Sequence, residues 1–73
     1  MEHVFVEYYR DNETLIYKDI FAAKENESYI SYVRLGDSPS SLPDTTIAVC
    51  YPQDYSWQPV TFEKRDGGWI EKV

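Results

Sequence analysis

Between Gly36 and Glu63 this chain has no lysine and no arginine, although four carboxylates, Asp37, Asp44, Asp54 and Glu63, fall in that stretch. Tyr55 and Trp57 lie there too, and a single-stranded nucleic-acid platform would need basic groups beside such rings. Cysteine is almost missing. Cys50 stands alone among 73 residues, which excludes an intrachain disulfide or a thiolate metal cluster. Its place in the apolar run Thr45 to Tyr51 reads as a buried, inert thiol and favours a reducing, cytoplasmic compartment. His3 is the sole histidine and has no cysteine or second histidine near it to share a metal, so it reads as a surface strand residue. No apolar run approaches the roughly 18 residues of a membrane span, and the start Met1-Glu2-His3-Val4 lacks the basic and apolar regions of a signal peptide.

Catalytic motifs are missing as well. There is no Gly-x-Ser-x-Gly, no phosphate-binding loop and no dinucleotide fingerprint, and Gly67-Gly68 is turn chemistry. Carboxylates at i and i+2, Asp11 with Glu13 and Glu25 with Glu27, stand about 6.7 Å apart on an extended chain. That overlaps glycosidase spacings, but so short a chain has little mass to enclose a sugar-sized, desolvated cleft. The expectation is a protein that is not an enzyme and needs no cofactor and no metal.

What is present is negative charge and aromatic surface. Thirteen Asp and Glu against seven Lys and Arg give a net charge of -6. Such a body repels nucleic acid and anionic lipid, so neither is expected as a direct partner, whereas a basic groove attracts it within the roughly 8 Å Debye length of physiological salt. A charge of this size also serves solubility alone. Seven Tyr, three Phe and two Trp compensate for a thin core, since a chain of this mass buries about 60% of its unfolded surface.

The pattern of short apolar runs and turns predicts a single domain, residues 1–73, that is mainly β. One twisted antiparallel sheet or a small open barrel of five to six strands accounts for it, with a short helix near residues 18–26. Val4, Val6 and Tyr8 alternate with Phe5, Glu7 and Tyr9 as in a strand, and a turn at 10–13 makes residues 3–17 a hairpin. Ala22, Ala23, Lys24 and Glu25 favour the helix, while a strand continued through Phe21 competes with it. Tyr29 to Leu35 reads as a central strand with large groups on both faces. Residues 36–44 read as a loop, Thr45 to Tyr51 as a strand, and Pro52 to Pro59 as an ordered, ring-anchored connection. Asp66-Gly67-Gly68 predicts a tight hairpin between Val60–Arg65 and Trp69–Val73. Trp69 reads as core; Tyr55 and Trp57 fit a surface anchor or a core plug equally well.

Several segments resemble the phage-type uracil-DNA glycosylase inhibitors. Pro52, Trp57 and Val60, then Ile70, recur at that family's spacing. Asn12-Glu13-Thr14-Leu15-Ile16 resembles its first-strand Glu-Ser-Ile element, and Glu27-Ser28-Tyr29-Ile30 the start of its next strand. The strand-like Glu2 to Tyr9 stands where the family has a helix, and Lys18 stands in a segment the family keeps acidic. The resemblance implies an acidic DNA mimic that occupies the DNA groove of a basic nucleic-acid-binding enzyme, uracil-DNA glycosylase or a host defence nuclease, in the host-cell cytoplasm if phage-encoded. It implies that Glu13 and Thr14 hydrogen-bond at the groove, and that Ile20 and Val49 line a pocket for an inserted leucine. Taken with the charge pattern, the expected partner-binding residues are Glu13, Thr14, Leu15, Ile20, Glu25, Glu27, Asp37, Asp44, Asp54, Tyr55 and Trp57. The competing reading is an interaction or assembly module, such as a homodimer pairing through the edge of Glu2 to Tyr9, with its acidic surface serving solubility.

Overall fold

The computed structural model describes residues 2–37 and 45–72. Among them the chain forms β1 (His3–Tyr9), β2 (Leu15–Ala22), α1 (Tyr29–Gly36), β3 (Ile47–Pro52), β4 (Val60–Arg65) and β5 (Gly68–Glu71). The strands make one antiparallel sheet in the order β2-β1-β3-β4-β5, so the fold is mainly β with one short helix, as the sequence pattern predicts.

The alternation in β1 decides the layers. Val4, Val6 and Tyr8 are fully buried, and their cross-strand partners in β3 are Pro52, Cys50 and Ala48. Residues directly opposite one another share a face, so this face also receives Phe62 from β4 and Trp69 from β5. The helix closes it, touching β1, β3 and β5 and burying Tyr32 and Val33. Tyr8 joins the two layers by donating its hydroxyl to the Val33 carbonyl at 2.8 Å. The opposite face, with Phe5, Glu7, Tyr9, Val49 and Tyr51, carries no helix among the described residues.

Three expectations are corrected. Residues 18–22 continue β2 instead of forming a helix, because Lys18, Ile20 and Ala22 pair in register with Glu7, Phe5 and His3. The helix lies later, over residues expected to be a strand. The run Tyr29, Tyr32, Val33 fits an i, i+3, i+4 stripe as well as a period of two, and burying that stripe on the sheet outweighs β propensity. Thirdly, Glu2 to Tyr9 is not a sheet edge, since β1 lies between β2 and β3. The edges are β2 and β5.

The predicted tight turn is present. Asp66 and Gly67 have φ of 52° and 80°, the paired positive angles of a two-residue hairpin. Asp44 lies outside the described residues, with most of the expected 36–44 loop.

Candidate functional site at one end of the sheet

Strand pairing sorts the candidate residues into two ends. At one, β1 starts, β2 and β3 finish, and β4 starts: the Ala23 amide donates to the Glu2 carbonyl at 2.9 Å and the Gln53 amide to the His3 carbonyl at 2.9 Å. The 23–28 turn and the 53–59 connection therefore meet here, bringing Glu25, Glu27, Asp54, Tyr55 and Trp57 to the same end. The first segment is fixed by a turn in which the Glu27 amide donates to the Lys24 carbonyl at 3.3 Å, with Asn26 at φ 65°. Tyr32 of α1 holds it further by accepting the Lys24 amide at 2.8 Å.

In the second segment Tyr55 adopts φ 57°, a conformation that costs an ordinary side chain roughly 1–2 kcal/mol. The Tyr55 amide donates to the Pro52 carbonyl at 3.1 Å, and its ring stacks on Tyr51 with centroids 5.7 Å apart and planes 10° apart. The ring is nonetheless 72% exposed and Trp57 is 68% exposed, so both are surface groups and not core plugs. Hydrogen bonds from the Ser56 side chain and amide hold the Asp54 carboxyl below its ordinary value.

Between the two segments runs an open groove of about 390 Å³, lined by Glu27, Tyr29, Trp57, Gln58 and Val60. Tyr29 also packs against the core, and its hydroxyl is buried without a hydrogen-bond partner. Burial, with Cys50 and Asp54 nearby, raises its pKa and keeps it protonated. Among the described residues no ion pair holds Glu27.

Glu13, Thr14 and Leu15 lie at the other end, on the β1–β2 turn. Asp11 organises that turn: one of its oxygens accepts the amides of Glu13 and Thr14 at 2.9 and 2.8 Å, and the other accepts the Thr14 hydroxyl at 3.3 Å. The two amides and that hydroxyl lower the Asp11 pKa. Ile20 stands on the open face beside Phe5, half exposed. Val49 is on the same face, across β1 from Ile20, and lines a shallow depression with Tyr9, Asn12, Ile47, Thr61 and Lys72. Asp37 is taken up within the fold, accepting the Trp69 indole N–H at 2.7 Å and pairing with Lys64 at 2.9 Å.

No family model, curated protein or solved structure matches this chain. Its chemistry has to be read from its own side chains. The Cys50 thiol is fully buried, and burial pushes its pKa up to about 12, so it is no nucleophile in the folded state. Among the described residues no three His, Cys, Asp or Glu side chains gather in a way that could hold a metal ion. No described helix is long and apolar enough to cross a membrane.

Sequence reasoning missed the middle of the open face. Glu7 accepts the Tyr9 hydroxyl at 2.5 Å and the Tyr51 hydroxyl at 2.6 Å, and lies 3.8 Å from the Lys18 ammonium. Lys18 also sits 4.4 Å from the centre of the Phe5 ring, and Phe5 lies 5.5 Å from Tyr51. The alternation in β1 shows that Phe5, Glu7 and Tyr9 share a face, but their partners come from β2 and β3 and depend on register. Tyr29 was missed because its segment reads as a strand.

Proposed function

We propose that this chain is a small acidic binding protein, not an enzyme, that seats its ring-bearing end in the basic nucleic-acid-binding groove of a partner protein and so excludes nucleic acid. The convergence of Glu25, Glu27, Asp54, Tyr55 and Trp57 at one end of the sheet carries this reading. Exposed Trp and Tyr supply the usual anchors of protein interfaces, while carboxylates steer and select a basic surface. The strained backbone at Tyr55 supports it further, since strain kept at an exposed ring is a common mark of a functional segment. The resemblance to uracil-DNA glycosylase inhibitors agrees in partner class but would place the contact at Glu13 and Thr14.

A displacement assay separates these possibilities. A labelled DNA duplex bound to a basic DNA-binding enzyme, with uracil-DNA glycosylase among those tried, is expected to be released by the chain, with affinity falling steeply as salt is raised. Charge reversal by Glu27→Lys is expected to weaken release at least about tenfold, as loss of a desolvated interface charge does. Glu71→Lys should leave it unchanged. Loss through Glu13→Lys instead of Glu27→Lys would move the contact to the β1–β2 turn, and a flat salt response would defeat the reading.

The second reading is an assembly module, favoured by the outer edge of β2, which no strand pairs among the described residues and where Leu15, Tyr17 and Ile20 are each about half exposed. Sedimentation at rising concentration checks it. A stable dimer disrupted by Tyr17→Lys would favour assembly.

A further inference from the structure

We propose that the groove between the 23–28 turn and the 57–60 segment receives an arginine side chain of a basic protein, an inference that rests on the acidic, ring-bearing end being the contact surface. Its walls select the occupant. Trp57 and Tyr29 offer ring surface, Glu27 offers a carboxylate with no ion pair among the described residues, and Gln58 adds a polar group. An apolar side chain would cover Glu27 and Gln58 without satisfying them, and an anion would meet the Glu27 carboxylate. Most of the wall is apolar, from Val60 and the two rings, and an arginine side chain suits both parts. Its methylene stem covers the apolar wall, its guanidinium plane stacks on indole, and its N–H fork bonds the Glu27 carboxylate at two points.

Tyr29 is held in the groove wall by its packing against the core, and its hydroxyl is closed to solvent, so it presents ring surface to an occupant. Lys24 is not among the residues that line the groove; it borders a neighbouring hollow that Glu27 also lines, and among the described residues no ion pair joins the two. The surrounding charge agrees, because Asp54 lies close enough to act on the Tyr29 phenol.

The test uses the whole chain and a small probe. Nα-acetyl-arginine amide is titrated into labelled protein while the two indole N–H signals are followed by nuclear magnetic resonance, with the neutral, nearly isosteric Nα-acetyl-citrulline amide as control. Trp57 is expected to shift and Trp69, whose N–H is held by Asp37, to stay in place. Affinity should be about five- to tenfold weaker for citrulline, and Glu27→Gln should reduce arginine to that level. Trp57→Ala removes the reporting indole, so that variant is read from the backbone amides of Glu27 and Gln58, whose arginine-dependent shifts should vanish; both substitutions are at exposed positions, and an unmoved Trp69 signal reports that the fold is intact. Equal binding of citrulline, an unaffected Glu27→Gln variant, or shifts centred on Phe5 and Lys18 would overturn the proposal. If arginine leaves Trp57 unmoved while the chain still displaces DNA, the groove assignment fails and the broader reading survives. If arginine binds as expected and displacement fails, the groove assignment stands without it.

Discussion

Glu7 lies in the middle of the open sheet face, with both oxygens taken by tyrosine hydroxyls and Lys18 beside them. Burial alone would raise its pKa, but the bonds from Tyr51 and Tyr9 and the charge of Lys18 outweigh that and hold it below the ordinary 4.5. A depressed carboxyl stabilises the folded chain fully above its unfolded value. The contribution disappears as pH falls from about 4.5 through the lower folded value. The same cluster acts with the opposite sign at high pH. Tyr9 is pushed up to about 12 by its bond to Glu7, and Tyr51 is raised by burial and then by its own bond to Glu7. Their contribution is complete below the ordinary 10 and is lost as pH climbs past 12. Denaturant unfolding across pH should therefore show Glu7→Gln less stable than the parent at pH 7, with the gap closing toward pH 3. A gap that stays constant would mean Glu7 matters by packing and not by charge.

At the scale of elements, the end of α1 depends on one small residue. A Cβ on Gly36 would run into the Tyr8 hydroxyl and crowd the Phe21 ring, and Tyr8 cannot retreat because it is fully buried and bonded to the Val33 carbonyl. Gly36→Ala is expected to cost about 2 kcal/mol, the usual scale of overpacking, measured by denaturant unfolding. Alanine's better helix propensity works against that cost and is smaller, about 1 kcal/mol. Gly36 also shows where the sequence was legible and where it was not. β1 was readable because Val4, Val6 and Tyr8 alternate strictly with polar or half-buried neighbours, and the last hairpin because Asp66-Gly67 demands positive φ. The helix was not, since Tyr29 to Leu35 satisfies two periods at once, and the choice rests on a sheet face assembled from distant strands. The candidate site divides in the same way. Tyr55 and Trp57 were readable as rings of an ordered connection from the prolines around them, but whether they plug the core or face solvent was open, and their meeting with Glu27 depends on β1 pairing with both β2 and β3.

Over the whole molecule, Asp37 ties the helix to the far side of the sheet. Its carboxylate takes the Trp69 indole N–H from β5 and the Lys64 ammonium from β4, and Lys64 lies 5.1 Å from the centre of the Trp69 ring. Removing one member leaves a partly buried ammonium and an indole N–H without their acceptor, so Asp37→Ala is expected to cost about 3 kcal/mol. The readout is the unfolding midpoint, and an unchanged midpoint would show the triad to be energetically idle. The position of β1 has a consequence for how the chain is made. Its Val4 faces Pro52 and its Tyr9 faces Ile47, so β1, made before the other strands of this sheet, becomes an inner strand only after β3 has emerged. Until then β1 has β2 on one side and unpaired amides and carbonyls on the other, with Phe62 and Trp69 still to come. A polypeptide released before Ile47 would offer that row of groups to any neighbouring strand, so unfinished copies are the ones expected to clump.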